Sequence, residues 1–197
     1  MIPLDAIDSV ALYSGSNPVF GQNTLGGALA LSTKNGFSYE QSEVELGVGS
    51  DGRQEVGFET GGNNERFGYY INVSQYEEDG WRKLSPSEVK QAFTSLSFRG
   101  EKSHFDVNYM FADNQLTGNG AAPVELLEIE GRNAVYTSPD QTNNELHQLS
   151  GDGEYELSSS LLLNYNFFYR KIDFIIFILF FHKFKATRIE SAIRFSF

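Results

Sequence analysis

The chain has 197 residues, a formal net charge of -11 and no cysteine. The length is sufficient for one ordinary domain. The absence of cysteine excludes a disulfide framework and a thiolate metal site, and the acidic balance argues against nucleic acid as a partner, because phosphates need a basic face. Nineteen Gly beside ten Tyr and seventeen Phe is a composition typical of β-rich proteins.

The stretch from Val10 to Lys34 predicts two strands joined by an irregular loop. Two short apolar runs, 10–13 and 28–31, flank a segment that is rich in glycine and asparagine. Its four glycines are Gly15, Gly21, Gly26 and Gly27. Glycine adopts backbone angles that are closed to other residues, and Pro18 fixes its own angle, so a helix is not expected here.

From Phe37 to Lys171 apolar residues alternate with other residues at a period of two, which indicates strands with two different faces. We predict about seven strands in an antiparallel up-and-down meander. Asp51-Gly52 is a strong hairpin signal, because both residues tolerate a positive φ. Further short turns are predicted at 61–64, 100–102 and 158–159.

The predicted connections alternate between a uniformly short set and a set that contains the long segments 78–90 and 113–145. Short turns at one end and longer loops at the other are typical of outer-membrane barrels, and tilted strands of about 9 to 13 residues can cross a bilayer. A soluble barrel or a β-sandwich with one long functional loop would give the same pattern.

The alternation also divides the strand residues between two faces. In a membrane barrel the apolar face meets lipid, and we would expect there Val107, Tyr109, Leu163 and Phe167. The polar face would meet water or a plug, and it would carry Asp106, Asn108, Asn164 and Arg170. A soluble barrel would bury the apolar set instead, and alternation alone does not separate the two cases.

Two loops are candidates for ligand contact. The first holds the only tryptophan, Trp81, next to Arg82 and a group of carboxylates. The second, 114–144, is long enough to be functional, includes a predicted helical turn near Pro123, and contributes Arg132 and Tyr136. A membrane-interface or loop-packing role for the tryptophan, and simple solvation for the other loop residues, are the competing interpretations.

No catalytic residue, cofactor site or metal site is predicted, and we do not expect an enzyme. Residues 47–52 match the dinucleotide fingerprint, but a strand follows them where that motif needs a helix. The three histidines, His104, His147 and His182, show no metal-ligand spacing.

The last 26 residues, 172–197, differ from the rest of the chain. Thirteen of them are Ile or Phe, none is Gly, and their net charge is +2. The run Phe174 to Phe181 is too short for a membrane helix and does not alternate. One interpretation is a reading-frame change or insertion soon after Lys171. The other is a genuine terminal strand, with an alternating face formed by Ile189, Ile193, Phe195 and Phe197.

The nucleotide sequence of the locus tests the reading-frame hypothesis. We expect another frame, downstream of the codon for Lys171, to encode further strands with period-two alternation. If no downstream frame contains such a continuation, the hypothesis fails and the tail is native sequence.

Six spaced groups of residues stand in order over about 28 positions near the start of the chain. They are Ile7-Asp8, Val10-Ala11-Leu12-Tyr13, Gly15, Phe20-Gly21, Leu25-Gly26-Gly27-Ala28-Leu29 and Thr33-Lys34. In this order they resemble the end of the plug domain of TonB-dependent outer-membrane receptors. The chain departs from the family pattern in two places, with Asp8 where Glu is usual and Ser14 where Arg or Pro is common.

The resemblance implies a division into three parts. Residues 1–36 would be the C-terminal part of a plug domain, 37–171 the first strands of a transmembrane β-barrel, and 172–197 an atypical tail. The fold would then be all-β, a partial barrel preceded by a piece of plug. The first eight residues carry no secretory signal, so we expect the signal peptide, the energy-coupling box and the remaining strands to lie outside this sequence.

The resemblance also implies a function in the outer membrane of a Gram-negative bacterium. Such receptors bind a scarce ligand, most often a ferric siderophore and sometimes cobalamin or a glycan, and an inner-membrane complex pulls on the plug to admit it. The implied partners are the TonB energy-coupling complex, a small-molecule or metal-chelate ligand, and outer-membrane lipid. About seven strands cannot close around a plug, so this chain alone would not be competent.

Two other function classes remain open on the sequence. The seven strands and the tail could close as a small eight-stranded outer-membrane barrel with a structural or adhesive role. Alternatively, the chain could be a soluble β-rich binding domain.

Overall fold

A computed structural model describes residues 2–16, 26–118, 120–136, 140–178 and 182–196. Within these residues the fold is all-β, with a two-stranded hairpin followed by an eight-stranded sheet. Each strand of the sheet pairs antiparallel with its neighbours in the sequence. The predicted up-and-down meander is therefore confirmed.

The elements follow one another in simple order along the chain. A 3-10 turn (Leu4–Ala6) precedes the hairpin strands β1 (Ile7–Ser14) and β2 (Gly27–Thr33). The sheet contains β3 (Ser42–Val48), β4 (Gln54–Asn63), β5 (Phe67–Glu78), β6 (Ser87–Arg99), β7 (Ser103–Gly118), β8 (Asp140–Ser158), β9 (Leu161–Ile178) and β10 (His182–Ser196). The described residues also contain one helix, α1 (Val124–Glu130), which begins after Pro123 as predicted.

The sheet has an inner face, on which the N-terminal residues pack, and an opposite outer face. In β5 the inner residues Tyr70 and Asn72 are buried, whereas the outer residues Tyr69, Ile71 and Val73 are exposed. The same division runs across the sheet, because directly paired residues share a face. Exposed apolar residues of the outer face include Leu46, Val56, Phe58, Leu96, Tyr109 and Ile193. The polar side of the alternation is thus the buried side.

The tight turn at Asp51-Gly52 is confirmed, since both residues have a positive φ, 57° and 74°. The turn predicted at 61–64 lies a few residues later, between the end of β4 at Asn63 and the start of β5 at Phe67. β4 continues through Asn63, and Glu65, with φ 70°, lies in the turn that follows.

The glycines that predicted this turn instead contact the linker, residues 35–41, which lies against β4 and β5. Gly61 donates its backbone N–H to the carbonyl oxygen of Gln41 at 3.0 Å. A Cβ on Gly61 would be 2.4 Å from the carbonyl oxygen of Tyr39, and a Cβ on Gly36 would be 2.2 Å from the backbone nitrogen of Tyr69. These glycines therefore allow backbone to pack on backbone and do not form a turn.

The long connections are shorter than predicted, because the strands extend into them. β7 continues to Gly118 and β8 begins at Asp140, with polar pairs such as Asn114 opposite Asn144 in the ladder. Backbone hydrogen bonds form there without any apolar alternation, so the period-two pattern does not indicate these strand ends.

The tail forms part of the sheet. β9 continues to Ile178, and β10 pairs with β9 from His182 to Ser196, which makes eight strands where about seven were predicted. Ile193 and Phe195 lie exposed on the outer face, so β10 has the arrangement predicted for a genuine terminal strand. Phe197 and the connection at 179–181 lie outside the described residues. The reading-frame origin of the tail stays a prediction.

Within the described residues, no helix is both long enough and apolar enough to span a membrane.

Replacing Gly61 by Ala tests the contact between linker and sheet. We expect Gly61→Ala to lower the free energy of unfolding by about 1–3 kcal/mol, because its Cβ must displace backbone. Gly62→Ala is the matched control, since a Cβ there meets only the Tyr69 ring at 3.5 Å. Urea denaturation in detergent micelles, followed by far-UV circular dichroism, measures both, and equal effects would contradict the packing described.

Candidate functional site

A largely buried ion pair joins the end of the hairpin to the inner face of the sheet. Lys34, directly after β2, donates from Nζ to both carboxylate oxygens of Glu59 in β4, at 3.0 and 2.9 Å. The two side chains are 19% and 10% exposed. A largely buried charge is stable only when it is paired and hydrogen-bonded, and here the ammonium and the carboxylate provide each other with an opposite charge and two hydrogen bonds.

Tyr70 completes this arrangement from the neighbouring strand β5. Its hydroxyl donates to Glu59 Oε2 at 2.5 Å and also lies 3.3 Å from the carbonyl oxygen of Asp5. Glu59 and Tyr70 are inner-face residues of adjacent strands, so the sheet itself brings them together. Asp5 belongs to the 3-10 turn, and the tyrosine therefore touches both the sheet and the N-terminal residues.

Tyr39 of the linker covers the ion pair. Its ring meets the Tyr70 ring edge-on, with centroids 5.4 Å apart and an interplanar angle of 81°. The ammonium of Lys34 lies 4.4 Å from the centroid of the Tyr39 ring, which is within cation–π range. Burial, helped by the nearby Glu59 carboxylate, raises the pKa of Tyr39 to about 12. We refer to Lys34, Tyr39, Glu59 and Tyr70 as the docking cluster.

Backbone and apolar contacts extend the docking cluster. The backbone N–H of Lys34 donates to the carbonyl oxygen of Ala6 at 2.8 Å, which closes the base of the hairpin. Ala6 packs in one apolar cluster with the inner-face residues Phe93, Met110 and Leu146, and Ile2 packs against its edge. The N-terminal residues are thus held on the sheet by charge, hydrogen bonds and apolar burial together.

Three of the four residues predicted for ligand contact lie together at the end of the sheet that carries the connections 79–86 and 119–139, which we call the loop end. The guanidinium carbon of Arg82 is 4.8 Å from the Trp81 ring centroid, and that of Arg132 is 5.4 Å from it. Arg82 also donates from Nη1 to the carbonyl oxygen of Gly120 at 3.1 Å, so the two loops touch. Tyr136 is exposed and makes no hydrogen bond or ring contact with the part of the chain that the structure describes.

The glycines predicted as structural parts of the plug-like motif play different roles. Gly15 and Gly27 have φ values of 89° and 142°, which other residues rarely adopt. A Cβ on Gly27 would also lie 2.5 Å from the carbonyl oxygen of Tyr13, whereas one on Gly26 would meet open space. Gly21 lies outside the described residues.

The sequence did not indicate Tyr39, Glu59 or Tyr70 as functional residues. Glu59 and Tyr70 occupy ordinary polar-face positions of the alternation, and the alternation carries no information about what covers that face. Lys34 has a place in the sequence pattern only as the end of the plug-like motif. The available signal was the presence of Glu59 and Tyr70 on the polar face of two consecutive predicted strands.

Among the described residues, no three His, Cys, Asp or Glu side chains come together as a metal site. His147 Nε2 lies 2.9 Å from a Glu145 carboxylate oxygen, and His104 Nε2 lies 3.7 Å from one of Glu154. These are pairs at the surface of the sheet.

Comparison with models of protein families gives no match for this chain, and a search of the curated proteins gives none either. The family resemblance of the N-terminal motif therefore depends on the residues themselves.

Neutralising Glu59 tests the docking cluster. We expect Glu59→Gln to lower the free energy of unfolding by about 2 kcal/mol or more, because Lys34 would keep its charge without a carboxylate partner. Glu55→Gln is the matched control, since Glu55 lies on the same strand and face and pairs with Arg53, but in an exposed position. Urea denaturation in micelles compares the two, and an equally small effect at both sites would show that the ion pair is not a structural anchor.

Proposed function

We propose that this chain is the junction between plug and barrel of a TonB-dependent outer-membrane receptor. Its β1–β2 hairpin is the last piece of the plug, and β3 to β10 are strands of the barrel wall. The receptor takes up a scarce ligand, with a ferric siderophore as the favoured class, by energy-coupled opening of a plugged lumen. The observation that carries this proposal is the outward apolar face of a sheet whose polar face holds the hairpin.

The exposed outer face supports a lipid environment. Val48 and Leu96 are 91% and 55% exposed, in contrast to the buried inner residues Ser95 and Asn72. In water, a sheet with this alternation buries its apolar side, because the removal of apolar surface from water is the main favourable term in folding. A large exposed apolar face indicates contact with lipid or protein.

The height of the wall is consistent with a bilayer. β5 has 12 residues, and its ladder with β6 runs from Phe67 to Glu78 without interruption. At about 3.3 Å per residue this corresponds to roughly 40 Å of strand, or roughly 28 Å across the membrane when tilted by about 45°. The hydrocarbon core of a bilayer is about 30 Å thick.

The free edges of the sheet support the proposal that more strands belong to the complete protein. Among the described residues, β3 pairs only with β4, and β10 pairs only with β9. Edge groups that face lipid have no water to bind, so they need strand partners. β3 has 7 residues and β10 has 15, so pairing these two edges would leave about eight residues of β10 without a ladder partner. We therefore propose that this chain alone is not competent for transport.

The loop end of the sheet is the proposed side of ligand entry. Trp81 with Arg82 and Arg132 provides two guanidinium groups on one aromatic ring. Guanidinium groups bind carboxylates and other oxyanions through paired hydrogen bonds, which suits an anionic chelate. The TonB complex would act from the opposite side, on the plug.

Eight strands also equal the number in the smallest outer-membrane barrels, which keeps a closed barrel with a structural or adhesive role as the second candidate. That candidate requires β3 to pair with β10.

A single-tryptophan variant tests the lipid-facing assignment. We expect the tryptophan of Trp81→Phe/Leu96→Trp to be strongly quenched by a brominated detergent, because Leu96 lies on the outer face. The control is Trp81→Phe/Glu125→Trp, which places the reporter on α1 and should be quenched much less. Equal quenching of the two, or a monodisperse chain that needs no detergent, would support a soluble β-rich domain instead.

Expression of the chain by itself tests the proposal that it is not competent for transport. We expect the expressed chain to show no heat-modifiable migration on a gel and no ligand uptake in cells, because an open sheet cannot enclose a lumen. Heat-modifiable migration without uptake would favour the closed eight-stranded barrel. Both together would contradict the proposal that further strands are needed.

A further inference from the structure

The outer face of the sheet changes from apolar to polar along its height, and the strand register shows where the change occurs. Directly paired residues form continuous rows across β5 to β10. Starting from the end opposite the loop end, three consecutive rows carry no charged residue. They are formed by Phe67, Phe98, Phe105, Gly153, Tyr165 and Phe195, then by Tyr69, Leu96, Val107, Gly151, Phe167 and Ile193, and then by Ile71, Thr94, Tyr109, Leu149, Tyr169 and Ser191.

Polar side chains replace the apolar ones toward the loop end. His147 and Lys171, which pair with each other, begin the change in the fourth row. The fifth row is polar on all six strands, and it is formed by Gln75, Lys90, Asp113, Glu145, Asp173 and Thr187. The sixth row adds Glu77, Glu88, Gln115, Asn143 and Lys185. We refer to these residues, together with His147 and Lys171, as the polar belt.

The longest strands extend well beyond the uncharged rows. β8 and β9 have 19 and 18 residues, whereas a tilted strand needs about 9 to 11 residues to cross a bilayer. The uncharged outer residues of β9 run from Leu161 to Tyr169, a span of about nine residues that fits this requirement. Lys171 follows directly on the same face. The remaining half of each strand, on the side of the loop end, is therefore not needed to cross the hydrocarbon.

The charges at the lower edge of the polar belt are paired within the belt. Lys171 Nζ lies 2.7 Å from a carboxylate oxygen of Asp173, and His147 Nε2 lies 2.9 Å from one of Glu145. A charge close to hydrocarbon has little water to solvate it, so a paired charge is less costly there than a single one. The pairing is thus the arrangement expected where a wall leaves the apolar part of a membrane.

Tyr109 spans the boundary between the uncharged rows and the polar belt. Its ring belongs to the third uncharged row, and its hydroxyl lies 2.8 Å from His147 Nδ1. Tyrosine is enriched at membrane interfaces, because its ring is apolar and its hydroxyl needs a polar partner. The side chain therefore has the orientation expected of an interface residue, with its polar tip toward the loop end.

We propose that the polar belt lies at the level of the lipid headgroups, and that β8 and β9 project beyond the bilayer at the loop end. This inference rests on the proposed function, because it requires an outer face that meets lipid. The belt contains three lysines and five carboxylates. Both signs are present, so the phosphate and ammonium groups of a zwitterionic phospholipid each meet an opposite charge. The cluster of Trp81, Arg82 and Arg132 then stands clear of the membrane, where a ligand in solution can reach it.

Two single-tryptophan variants on β5 test the position of the polar belt. Trp81→Phe/Ile71→Trp places the reporter in an uncharged row, and Trp81→Phe/Gln75→Trp places it in the belt, on the same strand and face. Four residues correspond to roughly 13 Å of strand, or roughly 9 Å of depth at a tilt of about 45°. Both chains are refolded into zwitterionic micelles that contain a detergent with a brominated tail, and aqueous iodide is the second quencher.

We expect bromine to quench the Ile71→Trp reporter about threefold more strongly than the Gln75→Trp reporter, and iodide to show the opposite preference, because only the first lies in hydrocarbon. Equal quenching of both reporters by bromine would place Gln75 in hydrocarbon. That result would overturn the belt and leave the contact of the outer face with lipid intact. Weak bromine quenching of both, with strong quenching by iodide, would contradict the contact with lipid and the proposed function as well.

A pair of lysine substitutions at the same positions tests the belt without a reporter. Ile71→Lys puts a single charge among uncharged rows, and we expect it to lower the fraction of chain that folds in micelles about fivefold. Gln75→Lys is the matched control, since the Gln75 side chain already lies beside the carboxylates of Glu77 and Glu88. Its folded fraction should stay within about twofold of the wild type. Circular dichroism after refolding measures both, and equal tolerance of the two substitutions would overturn the boundary.

Discussion

The ion pair between Lys34 and Glu59 is the interaction on which the rest of the arrangement depends. It fixes the end of the hairpin to a defined point on the inner face, at 2.9 Å, and Tyr70 holds the same carboxylate from the next strand. Only the linker 35–41 separates Lys34 from the start of β3 at Ser42. The chain must therefore cross the inner face within seven residues before it enters the sheet.

That short crossing explains the shape of the first sheet strand. β3 has 7 residues and pairs only with Gln54–Thr60 of β4, because beyond Thr60 the linker crosses onto the inner face of the sheet and does not continue the edge strand. Gly61 donates to Gln41 at the crossing, and its missing side chain makes room for Tyr39. The asparagine at 35 starts the turn of the linker, since its Oδ1 accepts the N–H groups of residues 37 and 38 at 2.9 and 3.1 Å.

The sequence predicted the elements whose rules are local. Alternation at period two indicated the strands, and Asp51-Gly52 indicated its turn, because each depends only on neighbouring residues. The prediction of a turn at glycines 61 and 62 is wrong, since these residues are in contact with linker residues 36 and 39, more than twenty positions earlier in the chain. The docking cluster was missed for the same reason. The positions of Trp81, Arg82 and Arg132 in two candidate loops are visible in the sequence, but their contact depends on those loops meeting in space.

The topology of the hairpin determines how it would respond to tension. β1 and β2 run antiparallel, Ile7 lies opposite Thr33 at the base, and the chain enters and leaves at that same end. A force applied before Ile7 would therefore open the ladder one pair at a time, starting with the contact between Ala6 and Lys34. Peeling of this kind needs far less force than sliding a whole ladder at once. The first strand, β1, could thus separate from β2 while Lys34 stays bound to Glu59, so that the sheet would keep its ion pair with the end of the hairpin.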